Sequence, residues 1–112
     1  MNPAIDRGVI DELRELRTPG RPDPVASLIE LFFENGSEGR ETIKRALENR
    51  HPDVVCGAAH KLKSMAANLG ANDLARACAE LERHPADASL FASFDAELSR
   101  AAEELTRLLG DT

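Results

Sequence analysis

Apolar residues recur three and four positions apart along almost the whole chain, and no stretch alternates apolar and polar residues as a strand does. Ile5, Val9, Ile10, Leu13 and Leu16 make a first short amphipathic segment, which stops at Thr18-Pro19-Gly20. Asp23 before Pro24 reads as an N-cap followed by proline at the first helical position. Val25, Leu28, Ile29, Phe32 and Phe33 carry that segment on. Asn35-Gly36 interrupts it, and Ile43, Ala46 and Leu47 resume the pattern, so the spacing allows two helices or one long kinked helix. His51-Pro52-Asp53 opens the next helix, expected to run to about Leu69 and to stop at Gly70. Asn72 or Asp73 can cap the helix after it, whose stripe of Leu74, Ala77, Cys78 and Leu81 ends at His84-Pro85. Leu90, Phe91, Phe94, Leu98, Ala101, Leu105 and Leu108 mark a last helix closed by Gly110. Residues 90–109 would span roughly 30 Å at the usual helical rise.

The chain has no Trp or Tyr and only four Phe, so its core must be built mostly from Leu, Ile, Val and Ala. Long helices with short connections then predict an all-α fold, an antiparallel four-helix bundle with an extra short N-terminal helix across one end. A length of 112 residues suits a single domain, read as an N-terminal helix over 1–17, a linker over 18–23 and a bundle over 24–109. The net charge of −6 excludes a broad affinity for nucleic acid, which needs a basic surface. Cys56 and Cys78 fit neither a disulfide scaffold nor paired zinc steps, and imply a reducing compartment. No apolar run reaches membrane-spanning length and no signal-peptide core follows Met1. The expectation is a cytoplasmic domain with no direct membrane contact of its own, whether free-standing or part of a membrane-bound parent chain.

On a helical wheel of residues 54–69, Leu62, Met65 and Leu69 cluster on one side with Val54, Val55, Ala58 and Ala66. His60 lies almost opposite, so its imidazole should project into solvent. Around it on the outer face stand Cys56, Gly57, Lys63, Ser64 and Ala67. A helix that meets only water is usually dressed in Glu, Lys, Arg and Gln, and Gly57 and Ser64 accept a propensity cost instead. Small residues beside one reactive group suit a surface on which another protein docks closely. A neutral imidazole is a good nucleophile near pH 7. Lys63, three residues on, shares its face and can neutralise an anionic group placed on the ring. Lys61, about 100° away, reads as a rim residue.

The run His60-Lys61-Leu62-Lys63-Ser64-Met65-Ala66-Ala67-Asn68-Leu69-Gly70-Ala71, continuing to Leu74, Leu81 and Glu82, resembles the histidine-containing phosphotransfer (HPt) domains of multistep phosphorelays. Their signature reads His-x-Leu-Lys-Gly-Ser-(Ser/Ala)-x-x-Leu-Gly, followed by a helix with a Leu-Glu pair. The likeness extends over roughly residues 5–108. It implies a four-helix bundle whose histidine takes a phosphoryl group from a receiver-domain aspartate and passes it to another. His60 would be the phosphorylated residue and Lys63 the lysine beside the phosphoryl group. Glu82 falls where several members carry Gln or Glu near the histidine. Ser64 departs from the usual Gly, and Met65 stands where Ser is common.

On this reading the chain is a phosphoryl carrier rather than an enzyme, either alone or as a module of a hybrid sensor kinase. Nε2 of His60 attacks an aspartyl phosphate in line, and a second aspartate reverses the step. Positioning and charge neutralisation dominate such transfers. The Mg²⁺ would come from the receiver, so no cofactor is expected of this chain. Receiver domains are the expected partners, meeting a monomer through Cys56, Gly57, Lys61, Ser64, Ala67 and Glu82. The competing expectation is an HPt-like adaptor that binds through the same face without using the imidazole. Cys56 and His60 sit at i and i+4, but no further ligand pair shares their face, which argues against zinc.

Overall fold

The computed structural model describes residues 2–110, which form five α-helices and one short 3-10 turn. These are α1 (Arg7–Glu15), α2 (Pro24–Glu48), α3 (Pro52–Asn68), α4 (Asn72–Arg83) and α5 (Phe91–Gly110), with the turn over Ala88–Leu90 leading into α5. The fold is all-α. Helix α2 packs on α3, α3 on α4, α4 on α5, and α5 returns to α2, which closes a four-helix bundle with α1 against α2.

Local chemistry explains the helix starts. The Asp6 carboxylate accepts from the backbone N–H of Gly8 at 2.9 Å, and Asp23 accepts from Val25 at 3.0 Å ahead of Pro24. Each bond satisfies one of the donors that a helix leaves open at its N-terminus. Helix α4 differs from expectation. Its N-cap is Ala71, with no side-chain capping bond, and Asp73 lies inside the first turn facing Arg76 and Arg100. Pairing with two guanidinium groups holds the Asp73 carboxylate in place and takes it from the cap.

Helix α2 is continuous through Asn35-Gly36. A Cβ on Gly36 would lie 3.4 Å from Leu98 Cδ1, and one on Gly39 would lie 2.7 Å from Leu62 Cδ1. Gly39 therefore lets Leu62 of α3 approach α2 closely, and that packing offsets its helix-propensity cost of about 1 kcal/mol, whereas a Cβ on Gly36 would make only ordinary contact with Leu98.

Helices α2 and α3 end in the same way. The N–H of His51 bonds to Ala46 O at 2.8 Å and the N–H of Ala71 to Ala66 O at 2.8 Å, each reaching five residues back around a left-handed residue. That residue is Arg50 (φ 58°) in one case and Gly70 (φ 77°) in the other. Gly70 carries a second constraint. The N–H of Asp6 donates to its carbonyl at 2.8 Å, and a Cβ there would stand 3.0 Å from Asp6 O and 3.1 Å from Val9 Cβ. The N-terminal segment is thereby clamped onto the α3–α4 turn, and Arg7 adds an ion pair to Glu104 of α5 at 2.6 Å.

The core is apolar throughout, with no polar side chain buried among the described residues. Val25, Ile29, Phe32, Ile43, Leu81 and Phe94 are almost completely enclosed. Two residues of the expected apolar stripes are exposed. Val54 is exposed because it occupies the first turn of α3, one position round from the buried Val55, and Leu16 is exposed because α1 ends before it. Phe94 loses all its solvent contact on folding, so Phe94→Ala should cost about 3–5 kcal/mol, read as a lower urea midpoint at unchanged slope.

Ion pairs fasten the helices at the surface. Arg40 of α2 grips Asp95 of α5 through Nε at 2.6 Å and Nη2 at 3.2 Å, and its guanidinium lies over Phe91. Arg40 holds the Asp95 carboxyl below its ordinary range, Arg76 does so for Asp73, and Arg107 with Arg7 does so for Glu104. A carboxylate depressed in the folded state contributes stability above its unfolded value, and loses it as pH falls through the folded one. The ordinary values are 3.8 for Asp and 4.5 for Glu. The urea midpoint should therefore fall as pH drops below 4.5 toward 2, and fall less in Asp95→Asn.

Candidate functional site

Helix α3 turns its apolar face, Val55, Ala59, Leu62 and Ala66, into the bundle, and His60 comes out on the other side with 65% of its side chain exposed. The tight turn at Leu69–Ala71 folds α4 back along α3. This lays the C-terminal part of α4 beside His60. Leu81 faces the core and Glu82, next in sequence, stands at the rim facing α3.

Three side chains meet there. His60 Nδ1 is 3.1 Å from Glu82 Oε2, and Lys63 Nζ is 2.6 Å from Glu82 Oε1. Oε1 is shut off from solvent and makes no well-aligned hydrogen bond, so Lys63 balances it as a charge pair. Lys63 first, and His60 second, hold the Glu82 carboxyl below the usual range, which keeps it ionised at neutral pH. An ionised carboxylate only accepts. The ring must then donate from Nδ1, and in the neutral imidazole this leaves the lone pair on the exposed Nε2.

The surround is uneven. Gly57 is exposed and a Cβ built on it would meet nothing within 4 Å. Ser64 and Ala67 are exposed as well, and the Ser64 hydroxyl bonds back to the His60 carbonyl at 3.3 Å. Cys56 is half-buried, because its thiol turns toward α4 and lies 3.8 Å from the Glu82 carbonyl oxygen. The wheel alone sets Cys56 on the open face, since it takes no account of the neighbouring helix. Lys61 faces another way. With Asn35, Glu38, Gly39, Thr42 and Leu62 it lines a groove of about 220 Å³ between α2 and α3. Cys78, buried beneath, has its thiol pushed up to about 12 by desolvation and by the Glu82 charge, and so is inert as a nucleophile.

The structure thus joins His60, Lys63 and Glu82 into one constellation, with Gly57, Ser64 and Ala67 around it and Lys61 at the side. Spacing along one helix found His60 and Lys63. Glu82 could not be found that way, as its contact crosses between helices.

A family model described as the Hpt domain matches residues 27–107. The chain belongs to the Hpt family. That family serves histidine phosphotransfer in two-component signalling, as phosphoryl carriers rather than conventional enzymes. Over 72 residues the chain is 35% identical to histidine-containing phosphotransfer protein 5 of Arabidopsis thaliana, a match that takes in 60% of this chain and 45% of that protein. The Hpt match runs from within α2 to near the end of α5, so α1 lies outside it. No helix among the described residues is long and apolar enough to cross a membrane.

Proposed function

We propose that this Hpt protein relays a phosphoryl group between receiver-domain aspartates, with His60 as the residue that carries it. The observation that bears most weight is the His60–Glu82–Lys63 constellation. An exposed imidazole meets a carboxylate at Nδ1, which in the neutral ring leaves the lone pair on Nε2. Nε2 attacks the phosphorus of an aspartyl phosphate in line, the N–P bond forms, and the P–O bond to the receiver's aspartate breaks with the electron pair leaving on that carboxylate. A second aspartate carries out the reverse. Lys63 lies where it can turn from Glu82 toward the arriving phosphoryl oxygens.

Gly57, Ser64 and Ala67 give the receiver a close approach, with Lys61 and Glu82 at the edge of the contact and Cys56 beneath it. One histidine face serves one receiver at a time, which suits a monomer. In this reading the receiver supplies Mg²⁺ and this chain needs no cofactor. The protein acts in the cytoplasm, by itself or as a module of a hybrid kinase. Incubation with phosphorylated receiver domains, followed by intact-mass measurement, should show one added phosphoryl group that acid removes. A full set of receivers that leaves the mass unchanged contradicts the proposal.

A further inference from the structure

Lys63 is already paired in this structure. Its ammonium sits 2.6 Å from Glu82 Oε1, so the charge next to His60 is balanced before any phosphoryl group arrives. The other Glu82 oxygen lies against His60 Nδ1. A carboxylate in that position does more than orient a neutral ring.

When Nε2 takes up a phosphoryl group, the ring that results still carries the Nδ1 proton and is a cation. That form is the good donor. As the N–P bond breaks, the electron pair returns to Nε2 and the ring leaves as neutral imidazole, protonated on Nδ1. A ring that has lost this proton would have to leave as imidazolate, which is far less favourable. Resting on the phosphocarrier reading, we propose that Glu82 sets the lifetime of the phosphoryl group: its carboxylate retains the Nδ1 proton on the phosphorylated ring and keeps phosphohistidine in its donor form. Glu82 is then a positioning residue whose charge, and not only its hydrogen bond, matters. Its negative charge also opposes the phosphoryl dianion and competes with it for Lys63. Both effects shorten the lifetime of the modified state.

The groups that face the ring are few. Helix α4 contributes Glu82 and α3 contributes Lys63, while the Cys56 thiol turns to the Glu82 carbonyl and the Cys78 thiol is buried. Helix α2 brings Glu38 to a groove that Lys61, not His60, lines.

The test uses a chemical donor and no receiver. Phosphoramidate transfers its phosphoryl group to a neutral imidazole and releases ammonia, giving the same protonated phospho-ring. Wild type and Glu82→Gln, each in a background carrying His51→Gln and His84→Gln, are labelled, freed of donor, and followed by ³¹P NMR from pH 6 to 10. Gln keeps an oxygen for the Nδ1–H to donate to and removes only the charge. With the carboxylate charge gone the Nδ1 proton is held less firmly, so the Gln variant should begin to slow at lower pH. At pH 8 its phosphohistidine should decay about tenfold more slowly than the wild type. Coincident profiles, or faster decay in Glu82→Gln, overturn the inference. Failure of His60 to take label from phosphoramidate contradicts the nucleophile assignment and removes both proposals. Failure of receivers alone to exchange with the wild type removes the relay reading and leaves the decay result standing.

Discussion

His60→Gln is expected to reduce acid-labile phosphoryl uptake from receivers to background while leaving helix content and the urea midpoint within error of the wild type. The side chain is largely exposed and contributes nothing to the apolar core, so its exchange touches one surface contact, the Nδ1 bond to Glu82. Removing an exposed contact of this kind usually changes stability by less than about 0.5 kcal/mol. The Gln amide can still reach the Glu82 carboxylate, but its nitrogen has no available lone pair and cannot attack phosphorus. The effect is therefore all in the chemistry. Binding of receivers should survive, because Gly57, Ser64 and Ala67 are unchanged. Uptake that is present in the wild type and lost in His60→Gln, with docking intact in both, is what sets a carrier apart from an adaptor. Measurement of receiver affinity by calorimetry and of uptake by intact mass gives both halves on the same samples. An adaptor would show the same receiver affinity with no uptake in the wild type as well.

Gly57→Trp should have the next largest effect, and of the opposite kind. Gly57 lies one turn before His60, on the exposed face, and a side chain there meets no neighbouring atom within 4 Å of its first carbon. The fold should tolerate it, and replacing a mid-helix glycine even favours the helix by a few tenths of a kcal/mol. An indole there would stand where a receiver must bring its aspartate to Nε2. Near-attack geometry tolerates little displacement, and a misplacement of about 1 Å can cost about a hundredfold. Transfer from receivers should thus fall by at least about tenfold, while labelling by phosphoramidate, which needs no docking, stays at the wild-type rate. Equal losses with both donors would mean that the indole disturbs the imidazole itself and not the docking face.

The sequence made some of this architecture plain and concealed the rest for physical reasons. Helix α3 was legible at both ends, because Pro52 fixes its start and Gly70 supplies the left-handed residue at its stop. His60 was legible as exposed, because a 3.6-residue period places it opposite Leu62, Met65 and Leu69. The continuity of α2 was hidden. Asn35-Gly36 reads locally as an interruption, and the approach of Leu62 from α3 onto Gly39 belongs to the packing between helices. The end of α2 was hidden as well, since Arg50 takes the left-handed conformation that sequence usually marks with glycine.

The site divides along the same line. Lys63 was visible three residues from His60, but its pairing was not. The helical wheel leaves its ammonium free for an incoming phosphoryl group, and the structure gives it a carboxylate partner from α4. Only the resemblance pointed to Glu82. Its acidic side chain follows the buried Leu81, a pattern that any surface helix shows, and nothing in the spacing says that it spans both His60 and Lys63. Cys56 shifts for the same reason, its thiol drawn to the Glu82 carbonyl by the packing of α4 on α3. Relations within a helix can be read from periodicity. Relations between helices need the turn that folds one back on the other.

The most direct test is a complete relay in three components: one phosphorylated receiver, this protein, and a second receiver that the first does not label by itself. Radiolabelled phosphoryl groups are followed to the second receiver over time. Label should pass through the wild-type protein as an acid-labile intermediate and reach the second receiver, and with His60→Gln none should arrive. Label that reaches the second receiver equally well through His60→Gln, or a wild type that binds both receivers and passes nothing, would contradict the relay reading.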